Sequence, residues 1–216
     1  MPLKTALQPA AQAYEAVAGA SNEVAGRLAA RLAGETRGEV LFAAADRGRY
    51  ATDASTYQVM PVGVFVPGSA DDVKLALDIC RDLGVPIVAR GGGTSQCGQT
   101  VGAGLVIDFS KHVRNILRVD VQQRTAEVEP GLVLDHLNAA LKRHGLWYPV
   151  DVSTGAQATL GGMAGNNSCG SRSIAYGNMV HNVCGAKAWL ADGSLLEFGR
   201  YDASARRARE IGDFVR

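Results

Sequence analysis

Residues 62–89 constrain this chain more than any other stretch. Val62 to Val66 is a short apolar run closed by Pro67-Gly68. Ser69 follows as a natural N-cap, with Asp71 and Asp72 near the positive end of the helix that starts there. Val73, Ala76, Leu77, Cys80 and Leu83 then recur at helical spacing and define one buried face. Gly84 stops the helix, and Pro86-Ile87-Val88-Ala89 enters a second strand. The result is a β-α-β unit, and a run of glycines begins directly after its second strand.

Glycine is the unusual total: 26 of 216 residues, roughly 12% against about 7% in an average chain. The glycines cluster at 91–104 and 161–170. The first cluster, Arg90-Gly91-Gly92-Gly93-Thr94-Ser95-Gln96-Cys97-Gly98-Gln99, has the make-up of an anion cradle. Consecutive glycines let backbone N–H groups converge on phosphate oxygens with no Cβ in the way. Thr94 and Ser95 add hydroxyls, and Arg90 offers charge. No G-K-[ST] follows, so it is not a P-loop, and Gln96 breaks the G-x-G-x-x-G spacing. Asp108 reads accordingly as a strand-end residue. Composition alone leaves two readings open, a phosphate cradle and a tight turn or bulge.

The second cluster lies in a stretch of small and polar residues from Pro149 to Gly170. Structureless stretches of that length are uncommon unless functional. Leu160, Met163 and Ala164 interrupt it as apolar anchors, which favours a ligand lying along the chain over a plain surface loop.

The remainder gives an α+β organisation in two lobes. Residues 1–49 read as a helical arm, with Val24, Leu28 and Leu32 at helical spacing. Residues 50–110 form the first lobe, with Leu105–Phe109 as a further strand. Residues 111–200 form the second, with a hairpin over 115–129, a helix through Leu134, Leu137 and Leu141 stopped by Gly145, and a hairpin turning at Asp192-Gly193. His136 and His144 fall in that helix, a long irregular stretch runs from Trp147 to Gly185, and a charged tail occupies 201–216.

Net charge is +1, with 22 basic residues scattered among 21 acids, which argues against a nucleic-acid partner. The four cysteines form no C-x-x-C pair and no closely spaced set with histidine, so neither a metal site nor a disulfide framework is expected. Reduced thiols fit a cytoplasmic location. No run approaches the ~20 apolar residues of a membrane span, and the N-terminus makes a poor signal peptide.

Seven motifs in order carry a resemblance: P-x-x-x-x-x-P-G at 61–68, RGGGTS at 90–95, VEPG at 128–131, Asp151-x-Ser-Thr, ATLGGMAGNNSCG at 158–170, YGN at 176–178 and LADG at 190–193. Together they resemble the FAD-linked oxidase family, whose vanillyl-alcohol oxidase-type FAD-binding domain is shared with glycolate oxidase flavin subunits and D-lactate dehydrogenases. The nearest likeness is to bacterial D-2-hydroxyacid dehydrogenases, over about Tyr50 to Gly199.

The resemblance implies FAD as cofactor and assigns positions. Arg90, Gly91, Gly92, Gly93, Thr94, Ser95, Gln96 and Gly98 would hold the pyrophosphate; Pro149, Ser153 and Thr154 would pack near the ring and diphosphate. Thr159, Gly161 and Gly162 would line the dinucleotide, with Asn166, Gly170 and Tyr176 close to the ribityl or ring. Covalent-flavin relatives carry histidine after the third glycine; here Thr94 implies a non-covalent flavin. His181-Asn182 departs from the family pattern and receives no role.

The activity implied is oxidation of a D-2-hydroxy acid by hydride transfer to flavin N5, with electrons leaving to a quinone, cytochrome or iron–sulfur acceptor. The resemblance also leads us to expect a domain truncated at its C-terminal end, with substrate and catalytic residues in a separate domain and this chain inactive alone. The alternatives are another flavoenzyme of the superfamily, such as the enolpyruvyl-sugar reductase or a molybdenum-hydroxylase flavin subunit, and a non-catalytic nucleotide-binding fragment.

Overall fold

A computed structural model describes residues 22–199; the expected tail at 201–216 and residues 1–21 of the expected arm lie outside them. Helix α1 (Asn22–Glu35), strand β1 (Glu39–Leu41) and helix α2 (Ala44–Arg49) precede the β-α-β unit, which is β2 (Gly63–Val66), α3 (Ala70–Leu83) and β3 (Ile87–Arg90). The helix boundaries follow the capping chemistry read from the sequence. The Asp72 N–H donates to Ser69 Oγ at 3.3 Å. Gly84 takes φ +65°, and the Gly84 and Val85 N–H groups close on the Arg81 and Cys80 carbonyls.

β4 (Leu105–Asp108) inserts between β2 and β3 and runs parallel to both, giving the order β1-β2-β4-β3. Every residue of β2 and β4 is buried. Their unbroken apolar runs, with no alternation, are what a parallel sheet covered on both faces requires. On one face Phe65, Leu105 and Ile107 pack against Leu28 and Leu32 of α1 and Ile79 of α3. On the other, Val64, Val66 and Val106 pack with Leu41, Tyr50 and Val88.

Two features of this sheet differ from the sequence reading. Within the stretch expected to be a helical arm, β1 adds an antiparallel edge strand, with Val40 opposite Phe65. Three residues are too few for a periodicity to show. The Asp72 carboxylate, expected only to favour the helix dipole, is buried and accepts the Arg37 and Gly68 N–H groups, each at 3.0 Å. It thereby ties the β1 approach to the start of α3.

The second half is built from hairpins and short helices. β5 (Ile116–Asp120) and β6 (Thr125–Val128) form the first hairpin; β7 (Ala186–Trp189) and β8 (Leu195–Phe198) form the other, turning where Gly193 takes φ +77°. Between them, α4 (Leu134–Leu141) runs into a 3-10 turn at Lys142–His144, so His144 lies beyond the α-helix proper, and Gly145 ends the turn at φ +67°. The stretch read as irregular contains three short helices, α5 (Leu160–Gly165), α6 (Ser173–Tyr176) and α7 (Met179–Asn182). Each spans little more than a turn, too short for helical periodicity to emerge among glycines. Leu134, Leu137 and Val150 pack with Leu160, Met163 and Met179 as the core of this half. All four cysteines are free, and burial pushes the Cys80 thiol up to about 12. Among the described residues no helix is long and apolar enough to cross a membrane.

Candidate functional site

The first glycine cluster leaves the carboxyl end of β3 and returns to β4, so residues 91–104 make this parallel crossover without a helix. Loops at the carboxyl ends of parallel strands are where open α/β sheets bind ligands. Gly93 takes φ +65°, which a side chain would strain, and its carbonyl accepts the Ala54 N–H at 3.1 Å. Among the described residues, no backbone N–H from Gly91 through Gln96 finds a protein acceptor. The loop thus turns a carbonyl away and keeps a run of donors in hand.

The second segment is pinned to the VEPG motif and the start of α4. The Leu134 N–H donates to the Ala158 carbonyl, Asp135 to Gly155, Leu160 to Leu132 and Gly161 to Pro130, at 2.8–3.1 Å. Within it, the Gln157 and Ala158 N–H groups both close on the Thr154 carbonyl, at 2.8 and 2.7 Å. This frame brings the two glycine clusters face to face. A Cβ on Gly91 would collide with Thr159 Oγ1, and one on Gly92 with the backbone carbonyl of Gln157. The first two glycines of the loop are therefore required by close approach to the second segment. Gln99 Nε2 adds a bond to Asn166 Oδ1 at 3.3 Å.

Thr159 sits at this junction, 2% exposed, and its hydroxyl has no hydrogen-bond partner. An unmet buried hydroxyl costs about 1–3 kcal/mol, a cost that a polar ligand at the junction removes. Gly162 lies beside it in the first turn of α5. The unclaimed amides of the loop and the orphaned Thr159 hydroxyl fit a diphosphate-bearing cofactor.

The other expected positions divide. Thr94 is half-buried and Gln96 exposed on the loop. Ser95 Oγ accepts the Cys97 and Gln99 N–H groups, both at 3.3 Å, so its oxygen shapes the loop while its hydrogen remains to donate. Arg90 turns beneath the loop: its Nη1 reaches the Thr100 carbonyl at 3.3 Å, and its guanidinium lies 5.7 Å from the centre of the Tyr50 ring. Pro149 is half-buried beside the fully buried Val150, and Ser153 is exposed.

Gly170 and Tyr176 belong to a neighbouring cluster. Asp151 accepts the Ser171 hydroxyl at 2.8 Å and the Arg172 N–H at 3.2 Å, with Gly170 packed against it. The Arg172 N–H, then the Ser171 hydroxyl, hold its carboxyl below the usual carboxylate range. Tyr176 meets Trp147 edge-on at 5.2 Å, and Arg172 lies over the same Trp147 ring at 5.3 Å. His181, left without a role, caps α7 by accepting the Asn178 N–H at Nδ1, 3.1 Å away.

Sequence reasoning missed residues 53–57. Asp53 holds Ser55 and Thr100, and Tyr57 lies against Gly98, where an added Cβ would stand 2.7 Å from its ring. The signal available was Asp53-Ala54-Ser55, a spacing that favours an Asx turn.

The FAD binding domain family matches residues 61–199, which contain both glycine clusters and the junction between them. The chain belongs to that family. FAD is the cofactor of this FAD binding domain. Over 163 residues it is 37% identical to the D-2-hydroxyglutarate dehydrogenase of Pantoea ananatis, covering 74% of this chain and 16% of that protein. It is 39% identical over 153 residues to the glycolate oxidase subunit GlcD of Bacillus subtilis, covering 69% and 32% respectively. A probable mitochondrial D-lactate dehydrogenase of Danio rerio is 34% identical over 160 residues, 73% of this chain and 32% of that one. The chain thus spans a sixth to a third of the length of these relatives. Alkyldihydroxyacetonephosphate synthase shares the fold, with a TM-score of 0.69 at 20% identity over 80% of this chain and 34% of the synthase.

Proposed function

We propose that the FAD binding domain holds the diphosphate of a non-covalent FAD where its two glycine clusters meet, within a polypeptide that oxidises a D-2-hydroxy acid. The observation that carries the reading is the buried, unpartnered Thr159 hydroxyl at that junction. Backbone N–H groups of Gly91, Gly92, Gly93, Thr94, Ser95, Gln96 and Gly98 would receive the phosphate oxygens, helped by the Thr94 and Ser95 hydroxyls. Thr159, Gly161 and Gly162 close the opposite wall. Pro149, Ser153 and Thr154 flank the ring side, and Asn166, Gly170 and Tyr176 the ribityl side. Thr94 has no ring nitrogen with which to link to the flavin. When bound, the flavin supplies a two-electron acceptor at N5; the residues around it contribute orientation and exclusion of water. The substrate class rests on the D-2-hydroxyglutarate dehydrogenases, glycolate oxidase subunit and probable D-lactate dehydrogenase among the relatives. A cytoplasmic location, with electrons passing to an acceptor outside this chain, agrees with four free thiols.

Titrating the chain with FAD while following flavin fluorescence is expected to saturate at one FAD per chain and to be competed by ADP. A folded chain showing no fluorescence change and no shift in melting temperature would overturn the cofactor site. Turnover belongs to the whole polypeptide, so the activity assay uses the longest reading frame containing these residues. D-2-hydroxyglutarate is expected to bleach its flavin anaerobically and the L-enantiomer to leave it oxidised. Bound flavin that no D-2-hydroxy acid bleaches would refute the activity.

A further inference from the structure

The glycine loop has little to hold it by itself. It has no helix, three successive glycines and a run of unpaired amides, and a free loop of that kind loses its donor geometry to conformational entropy. Its two ends are nevertheless fastened to one point. Thr100, ten residues beyond the end of β3, presents its hydroxyl to Asp53 Oδ2 at 3.0 Å and its N–H to the same oxygen at 3.4 Å. The Thr100 carbonyl accepts Arg90 Nη1 at 3.3 Å, from the residue that opens the loop. The other Asp53 oxygen accepts the Ser55 N–H at 2.9 Å, and the Ala54 N–H between them takes up the Gly93 carbonyl at 3.1 Å. Residues 53–55 therefore grip the loop at its apex and its exit, while Arg90 grips it from below.

From this geometry we infer that Asp53 is the positioning residue of the phosphate cradle, acting through Thr100 and Gly93 and without touching the ligand itself. The assignment rests on the reading of the loop as the FAD diphosphate site. A carboxylate beside an anion site repels the anion; the Ser55 and Thr100 donors on its two oxygens turn their dipoles toward it and offset part of that field. Burial pushes the Asp53 carboxyl up, but the hydrogen bonds from Ser55 and Thr100 outweigh it and hold the group ionised. The charge is thus spent on loop shape. The Gly93 carbonyl, which would also face an anion badly, is turned away by the neighbouring Ala54. Arg90 belongs to the same clasp, its Nη1 closing the loop on the Thr100 carbonyl.

The test compares Asp53→Ala, Thr100→Val and Thr100→Ser with the unaltered chain, by FAD titration and by hydrogen exchange, without ligand, of the bonded loop amides of Cys97, Gln99 and Thr100. Thr100→Val keeps the shape and the backbone bonds and removes only the hydroxyl; Thr100→Ser restores it. Asp53→Ala and Thr100→Val are expected to weaken FAD about 10- to 100-fold, the scale of one hydrogen bond to a charged group. Exchange of those three amides is expected to accelerate, with no change in β2 or β4, and Thr100→Ser is expected to behave as the unaltered chain. Should Asp53→Ala fail to fold, the Thr100 pair decides alone. FAD affinity within twofold of the unaltered chain in Thr100→Val, or equal losses in Thr100→Val and Thr100→Ser, would overturn the proposal. An unaltered chain that binds no FAD would instead refute the cofactor reading. In that case the ligand-free exchange still decides the clasp: unchanged rates at Cys97, Gln99 and Thr100 in both Asp53→Ala and Thr100→Val overturn it, and accelerated rates support it.

Discussion

Residues 22–110 and 111–199 are held together in different ways, and the difference shows where a fold of this kind keeps its order and where it keeps its chemistry. The first region is a four-stranded sheet with helices on one face and a second apolar cluster on the other, and its central strands β2 and β4 are buried end to end. The second has two separate two-stranded hairpins, three helices of a turn or so, and exposed apolar side chains at Ile174, Val180 and Phe198. An isolated two-stranded hairpin is marginal in water, so this half depends on the core around Leu137 and Val150. The two glycine-bearing segments sit between: one is rooted in the rigid sheet, the other in the softer half. Local opening is expected to begin in the second region and leave the first intact.

Truncation of the rigid core is expected to have the largest effect. Phe65→Ala removes the largest fully buried side chain and should lower unfolding free energy by about 3–5 kcal/mol. Leu137→Ala, in the core of the hairpin half, is expected to cost less in global denaturation and to speed exchange mainly within 111–199. Equal global losses would mean that the halves unfold as one. Gly92→Ala tests the junction: its Cβ would strike the Gln157 backbone, which cannot step aside like a side chain. It should cost about 1–3 kcal/mol and abolish FAD binding, both read from melting curves with and without FAD. Ser69→Ala removes the α3 cap bond and should cost about 1 kcal/mol in urea unfolding, with FAD affinity unchanged.

Asp151 supplies a pH handle confined to the softer half. Its folded pKa is lowered, so the stability it adds is complete above the ordinary carboxylate value of about 3.9 and is lost as pH falls through its lower folded value. Protection of the Arg172 amide, measured against its intrinsic exchange rate at each pH, should fall on acidification in that window, a pH dependence that Asp151→Asn abolishes. The smallest effect is expected at Ile174→Ser: the side chain is fully exposed, and stability should stay within about 0.5 kcal/mol.

The same contrast explains what the sequence made legible. In the first region, periodicity, capping and turn chemistry agree: Ser69, the apolar stripe from Val73 to Leu83 and Gly84 define the same helix in sequence and structure. At the glycine loop the sequence reading offered, by composition, a phosphate cradle or a tight turn. It did not extend to why Gly91 and Gly92 are glycine, because their constraint is contact with Thr159 and Gln157, more than sixty residues away. Asp53 was silent for the same reason, since its partner Thr100 is distant in sequence. In the second region the helices at 160–182 are shorter than the periodicity that reveals helices, and their positions are set by tertiary bonds such as Gly161 to Pro130. Family resemblance supplied Thr159, Gly161 and Gly162 as candidate site residues where residue patterns could not.

The central claim is that the two glycine clusters form a single FAD cradle, and it is tested most directly by hydrogen exchange with and without FAD. The account predicts that amides 91–98 and 159–162 gain protection together, over the same FAD concentrations, while the exposed hairpin at β5 and β6 stays unchanged. FAD that binds while protecting only one cluster, or neither, would contradict it.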